Sequence, residues 1–376
     1  MILTALSLAT AGTAPKRRSS APSRPVAVLP NSQSDLLRIA GAAVVYVAFL
    51  VYLYRPYFGG FQTWQWLMPI NVFVGALGCF VVSRRWISGF SGSLLAGAVY
   101  GFGPFMLGLM RYHPTVGFLA ACVPWLFVPA AFWARRRSRF VGFLSCLLPF
   151  AGVVLFFRLG ALDALRHYAA PIQAEPQWVD LVGFIAPLVV VGRGAMLASI
   201  YHIPTAALVL GVAMMVKARR YSLLVMAVAG VVLAMCRPLF GPQAVAWLGV
   251  SPILWLSIPM VCISLLAGLG LQGLLEAGRG DRKWILAAGI TLGAFAIATL
   301  LLAARYFQVV FHLADGYARL FVDAAKIYLM GALATGIVYV IARQSLRFQP
   351  LRWVVLCAAL AFDIFLGARY IVDKLL

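Results

Sequence analysis

Long apolar runs, separated by short polar stretches that are rich in arginine, dominate the chain. Neither a period of two nor a clean period of 3.6 marks these runs, so they read as helices apolar on all sides, buried in protein or lipid. Hydropathy sets them near residues 37–54, 67–83, 88–110, 115–134 and 140–158, then 201–216, 221–236, 250–275, 284–304, 326–342 and 353–369. About eleven spans of about 20 residues would consume most of the chain. The expected fold is therefore all-α, a polytopic transmembrane bundle forming one domain over residues 36–376. The first 35 residues, ending KRRSSAPSRPVAVLPNSQSD, are basic, rich in Pro and Ser and aperiodic, and read as a disordered cytoplasmic tail. MILTALSLATAG lacks a basic region ahead of it and makes a poor signal peptide, and a mis-assigned start is an equally plain explanation.

Composition agrees with the pattern. The 376 residues are 63% hydrophobic and 11% charged, far from the roughly 25% charged of a soluble domain. The net charge of +21 would point to nucleic acid in a soluble protein; here it has a topological explanation. With the amino terminus inside, twenty of the 31 Lys and Arg fall on inner segments, among them Arg84, Arg85, the Arg135–Arg139 run, Arg279, Arg282, Lys283, Arg343, Arg347 and Arg352. This bias predicts an inside amino terminus and an outside carboxy terminus. The segment 181–200 tests the scheme, because LVGFIAPLVVVG is apolar yet interrupted by Pro187 and followed by Arg193. Counting it as a span leaves 17 cations inside against 13 outside, with Arg193 in lipid at a cost of about 2.5–3.5 kcal/mol. An interfacial or re-entrant segment fits better, so 159–200 forms an outer loop, and 305–325 a second outer, amphipathic segment.

Candidate chemistry is sparse. No phosphate-binding glycine loop, serine elbow or metal-spaced His/Cys cluster occurs, so no metal site and no evident cofactor is expected. Cys79, Cys122, Cys146, Cys236, Cys262 and Cys357 lie in apolar runs and read as small core residues. His113, His167, His202 and His312 all fall on the outer side, where an interfacial contact is the plain reading of each. The ten acids are the more useful set. Asp163, Glu175 and Asp180 share the outer loop after the fifth span with Arg158, Arg166, His167 and Tyr168, and could supply a base or bind a divalent metal if the protein is catalytic. A solvated loop is the simpler reading. Asp363, in AALAFDIFLG, is an intramembrane acid that needs a partner or a proton. Asp315, Arg319 and Asp323 share one helical face, as an interfacial helix with internal ion pairs would. Arg55, Arg111, Arg158, Arg166, Arg193 and Arg237 stand near outer span ends, where they could hold lipid phosphates, of a carrier lipid or of ordinary phospholipid.

Three stretches resemble the YfhO-like bacterial polytopic membrane proteins of the GT-C glycosyltransferase superfamily: GFSGSLLAGAVYGFGPFMLGLMRYHPTVGFLAACVPWLFVPAAFWARRR; YHIPTAALVLGVAMMVKARRYSLLVMAVAGVVLAMC with IPMVCISLLAGLGLQGLL; and VVLCAALAFDIFLG. They cover about half the chain. The resemblance implies a helix bundle in the bacterial cytoplasmic (inner) membrane that uses a polyprenyl-phosphate-linked sugar on the outer face of the envelope. It also implies an acid in the first outer loop, yet that loop is RPYFGGFQTWQW, without Asp or Glu; RYHPT after the third span has none either. A missing general base costs about 10² to 10⁴ in rate. The leading expectation is a relative degenerate in catalysis, serving lipid or glycan handling or acting as an accessory subunit of a membrane assembly. The alternatives are a glycosyltransferase using Asp163, Glu175 or Asp180, and a transporter resting on Asp363 and the interrupted 181–200 segment. Expected partners are membrane lipids, a polyprenyl-phosphate-linked sugar and other membrane subunits, with nucleic acid excluded.

Overall fold

The computed structural model describes residues 32–61, 63–112, 114–133, 221–235, 252–276, 282–309 and 349–375, with isolated positions between 325 and 340. These are helical or connecting residues; no strand occurs among them. The chain divides into an amino-terminal unit, Met1–Leu37, of which only the start of the first helix is described, and a main unit, Arg38–Leu376.

In chain order the helices are α1 (Ser32–Tyr54), α2 (Leu67–Ser83), α3 (Phe90–Gly101), α4 (Pro104–Tyr112), α5 (Pro114–Trp133), α6 (Tyr221–Ala234), α7 (Ser257–Leu275), α8 (Arg282–Val309) and α9 (Gln349–Leu375). Short 3-10 turns at Phe58–Gly60 and Thr63–Trp66 lead into α2, and another at Pro252–Leu256 leads into α7. Among the described residues four stretches are long and apolar enough to cross a membrane: Leu37–Tyr54, Phe90–Leu109, Leu254–Leu275 and Lys283–Leu301. Met68–Ser83, Gly117–Val128, Leu223–Ala234 and Pro350–Phe362 are shorter apolar helices. The protein is a helical membrane protein.

The stretch anticipated as a span over 88–110 is two helices. α3 ends at Gly101, Phe102 and Gly103 form a bend, and α4 starts on Pro104. Proline is suited to a first helical position, where its missing N–H removes no bond, and it disfavours helical geometry at the residue before it. The amide of Phe102 still reaches Ala98 O at 2.9 Å and that of Leu107 reaches Gly103 O at 3.2 Å, so both helix ends are closed around the bend.

Side-chain size organises the interior. α3 packs on α2 and on α7, and α2 packs on α5. Two small-residue faces lie about 140° apart on α3, at 100° per residue. Gly92 and Ala96 meet α7 at Gly268: a Cβ on Gly92 would lie 2.7 Å from Gly268 O, and one on Gly268 would strike Gly92 O. Gly97 and Gly101 meet α2, where a Cβ on Gly101 would lie 2.5 Å from the Ala76 Cβ and 2.7 Å from Val72 O. Lipid gives helices no hydrophobic reason to associate, so close backbone approach through small residues supplies the van der Waals contact. Polar side chains add cross-links. Tyr46 Oη, lying against Gly97, donates to Leu94 O at 2.8 Å. Tyr100 Oη donates to Ala120 O at 2.5 Å, and Trp125 Nε1, lying over Gly78, donates to Val74 O at 2.9 Å. Around α2, α3 and α7 two apolar clusters form, one with α1, α8 and α9 and the other with α4, α5 and α6.

Candidate functional site

At one end of the bundle the α2–α3 turn, the end of α7 and the start of α9 meet in a polar junction. Arg84 and Arg85 close α2, and the Arg84 guanidinium donates to Ser88 O at 2.8 Å. Gln272, the last polar residue of α7, ties two segments 184 residues apart. Its Oε1 accepts from the Ser88 amide at 3.2 Å and the Gly89 amide at 3.5 Å. Its Nε2 donates to Ser88 Oγ at 2.6 Å and to Glu276 Oε1 at 2.7 Å. The α9 side contributes Arg352, 8% exposed, whose Nη1 donates to Leu275 O at 3.0 Å and Leu274 O at 3.4 Å. These carbonyls belong to the final turn of α7, which carries the negative end of the helix dipole, so a cation there is favourable. Beside it, Trp353 Nε1 donates to Ser91 Oγ at 2.7 Å, fastening α9 to the first turn of α3.

The loop after α1 is a knot of aromatic rings. Phe58 stacks on Trp66 at 5.2 Å between centroids and 12° between planes, and Phe61 meets Trp66 edge-on at 5.3 Å. Phe61 also meets Phe58 and Tyr54 edge-on. Such rings, apolar at the body and polar at one edge for Tyr and Trp, suit the membrane–water boundary. Arg55 stands exposed at the end of α1 beside this knot.

Between α1, α3 and α9 runs a groove of about 190 Å³, lined almost wholly by apolar side chains. Ser91 and Trp353 lie at its junction end, already engaged with each other, and Leu53, Phe102 and Ala368 at the far end.

Of the anticipated site residues, Arg55 lies at the aromatic loop, Arg111 in the last turn of α4 and Asp363 within α9, between the buried Leu360 and Ile364. Arg55 and Asp363 are therefore in separate elements. Asp163, Glu175, Asp180, Arg158, Arg166, Arg193 and Arg237 lie outside the described residues, as do the amphipathic positions Asp315, Arg319 and Asp323. No group of three or more His, Cys, Asp or Glu positioned to hold a metal occurs among the described residues. The polar junction was not anticipated as a unit. In the sequence its Arg residues mark only the side of the membrane they favour, and Gln272, Ser88 and Ser91 carry no charge. Comparison of the chain with protein-family models, with characterised proteins and with solved structures gives no match.

Proposed function

We propose that the chain is an eleven-span protein of the bacterial cytoplasmic membrane, amino terminus inside and carboxy terminus outside, related to the lipid-linked sugar transferases. In this reading it serves lipid or glycan handling as an accessory subunit of a membrane assembly and does not itself transfer a sugar. The observation carrying it is the first outer loop, where the resemblance calls for an acid. Phe58, Phe61 and Trp66 are packed on one another there, and RPYFGGFQTWQW offers no carboxylate to act as a base. The topology draws support from the junction, since the Arg84–Gly89 turn, the end of α7 and Arg352, all assigned to the cytoplasmic side, come together at one end.

The test is a chain carrying Asp163→Asn, Glu175→Gln and Asp180→Asn together, produced in cells lacking the natural protein. Accessory action predicts that outer-face glycan modification continues at the wild-type level and that a stoichiometric membrane partner copurifies, its accumulation depending on this chain. Loss of modification with the partner still bound and the protein level unchanged would assign transfer to the 159–180 loop and defeat the accessory reading.

A further inference from the structure

The length, lining and surrounding charge of the groove between α1, α3 and α9 restrict what it can hold. Along α9 it extends from Trp353 to Ala368, and along α3 from Phe90 to Phe102. At 1.5 Å per residue these are about 22 Å and about 18 Å. One leaflet of a bilayer whose hydrocarbon core is about 30 Å thick is about 15 Å deep. The groove is therefore long enough to take a chain lying along the membrane normal across one leaflet. An apolar cavity of roughly 150 Å³ stays dry and accepts an apolar guest; at about 190 Å³ this one exceeds that size. Left empty, the walls formed by Leu94, Ala98, Leu360 and Phe365 would lack contact atoms on one side.

Its two ends differ. The far end closes on apolar residues. The near end reaches Ser91 and Trp353 and lies beside the polar junction, where Arg84 donates to Ser88 O and Arg85 follows it at the close of α2. A further cation, Arg38, stands exposed near the start of α1, the helix that forms one wall. A headgroup whose chain lay in the groove would sit among these cations. Positive clusters at a membrane surface attract anionic lipid.

We propose that this groove binds one acyl chain of an anionic phospholipid from the surrounding membrane, with its phosphate at the Arg84–Arg85 end. This goes beyond the envelope role above and does not depend on it.

The probe is phosphatidylglycerol with a photoreactive group in mid-chain, incorporated into nanodiscs holding the full chain, with the matching phosphatidylcholine as control. Photolysis is expected to place adducts on α9 between Cys357 and Phe365 and on Leu94 or Ala98. The anionic lipid should give several-fold more of them than the zwitterionic one. Ala98→Phe and Ala361→Phe, which fill the groove, should each lower these adducts at least five-fold. Arg84→Gln with Arg85→Gln should remove the anionic preference while chain adducts persist. The experiment on the unaltered chain stands even if a filling variant fails to fold. Adducts spread evenly over the exposed face of α8 at Ile290 and Ile297, or equal labelling by the two lipids, would overturn the proposal.

Discussion

The α3–α4 segment and α8 make opposite uses of apolar sequence. Of the stretch Phe90–Leu109, 88% is buried inside the protein; of Lys283–Leu301, 28% is. The buried stretch is the less hydropathic of the two. A membrane protein thus cannot be read by the rule that the greasiest segment lies innermost, because lipid solvates leucine as well as a protein interior does. Size decides the placing. α3 carries Gly92, Ser93, Ala96, Gly97 and Gly101 in its interior faces, whereas α8 turns Leu286, Ile290, Ile297, Leu300 and Leu301 outward. α1 repeats the second pattern with Val44, Val47, Val51 and Tyr52.

Substitutions can break this contrast, beginning with the most damaging. Gly97→Leu should destabilise the protein by about 3 kcal/mol or more, because the new Cβ runs into Tyr46 Oη and Ala76 O, and the latter is backbone that cannot turn aside. Resistance to unfolding by SDS in mixed micelles measures this, and an unchanged transition would refute the packing of α3. Arg352→Met should cost about 1–2 kcal/mol by the same assay, since the Leu274 and Leu275 carbonyls lose their cationic cap. Tyr46→Phe, which removes only the bond to Leu94 O, should cost about 0.6 kcal/mol, the average for hydrogen bonds between membrane helices. Smallest of all is Gly293→Ala on α8, where an added Cβ meets nothing within 4 Å. It should be neutral or stabilise by up to about 1 kcal/mol through helix propensity. A loss there comparable with that at Gly97 would erase the distinction between the two helices.

Among the described residues much of the helical layout was legible in the sequence, and the reason is physical. An apolar run bounded by arginines has few alternatives to a helix, and the run expected over 67–83 is α2, Leu67–Ser83. The break at Phe102–Gly103 was signalled by Phe-Gly-Pro, a helix-ending sequence that averaging over a span conceals. Partnerships between helices were not legible. Nothing in the spacing of residues near Ser88 indicates that Gln272 completes their hydrogen bonds, because a helix apolar on nearly every side gives no direction to its neighbours. For the site, Asp363 is found within a helix as its surroundings implied, and Arg55 at the end of one. The aromatic knot was visible as composition in RPYFGGFQTWQW, but its ring-on-ring geometry depends on the turns at Phe58–Gly60 and Thr63–Trp66, which hydropathy does not encode.

The bond from Arg352 to the carbonyls of Leu274 and Leu275 joins positions 78 and 77 residues apart, and its timing follows from the direction of synthesis. Chains emerge amino end first at about 5–20 residues per second, so α7 is made several seconds before the residue that caps it. During that interval the last turn of α7 has open acceptors and the α3 wall of the groove has no α9 opposite it. The final helix is in this sense a clasp. A ribosome stalled before residue 352 would hold a bundle already joined at its polar end by Gln272 and Ser88 but with the last turn of α7 still uncapped.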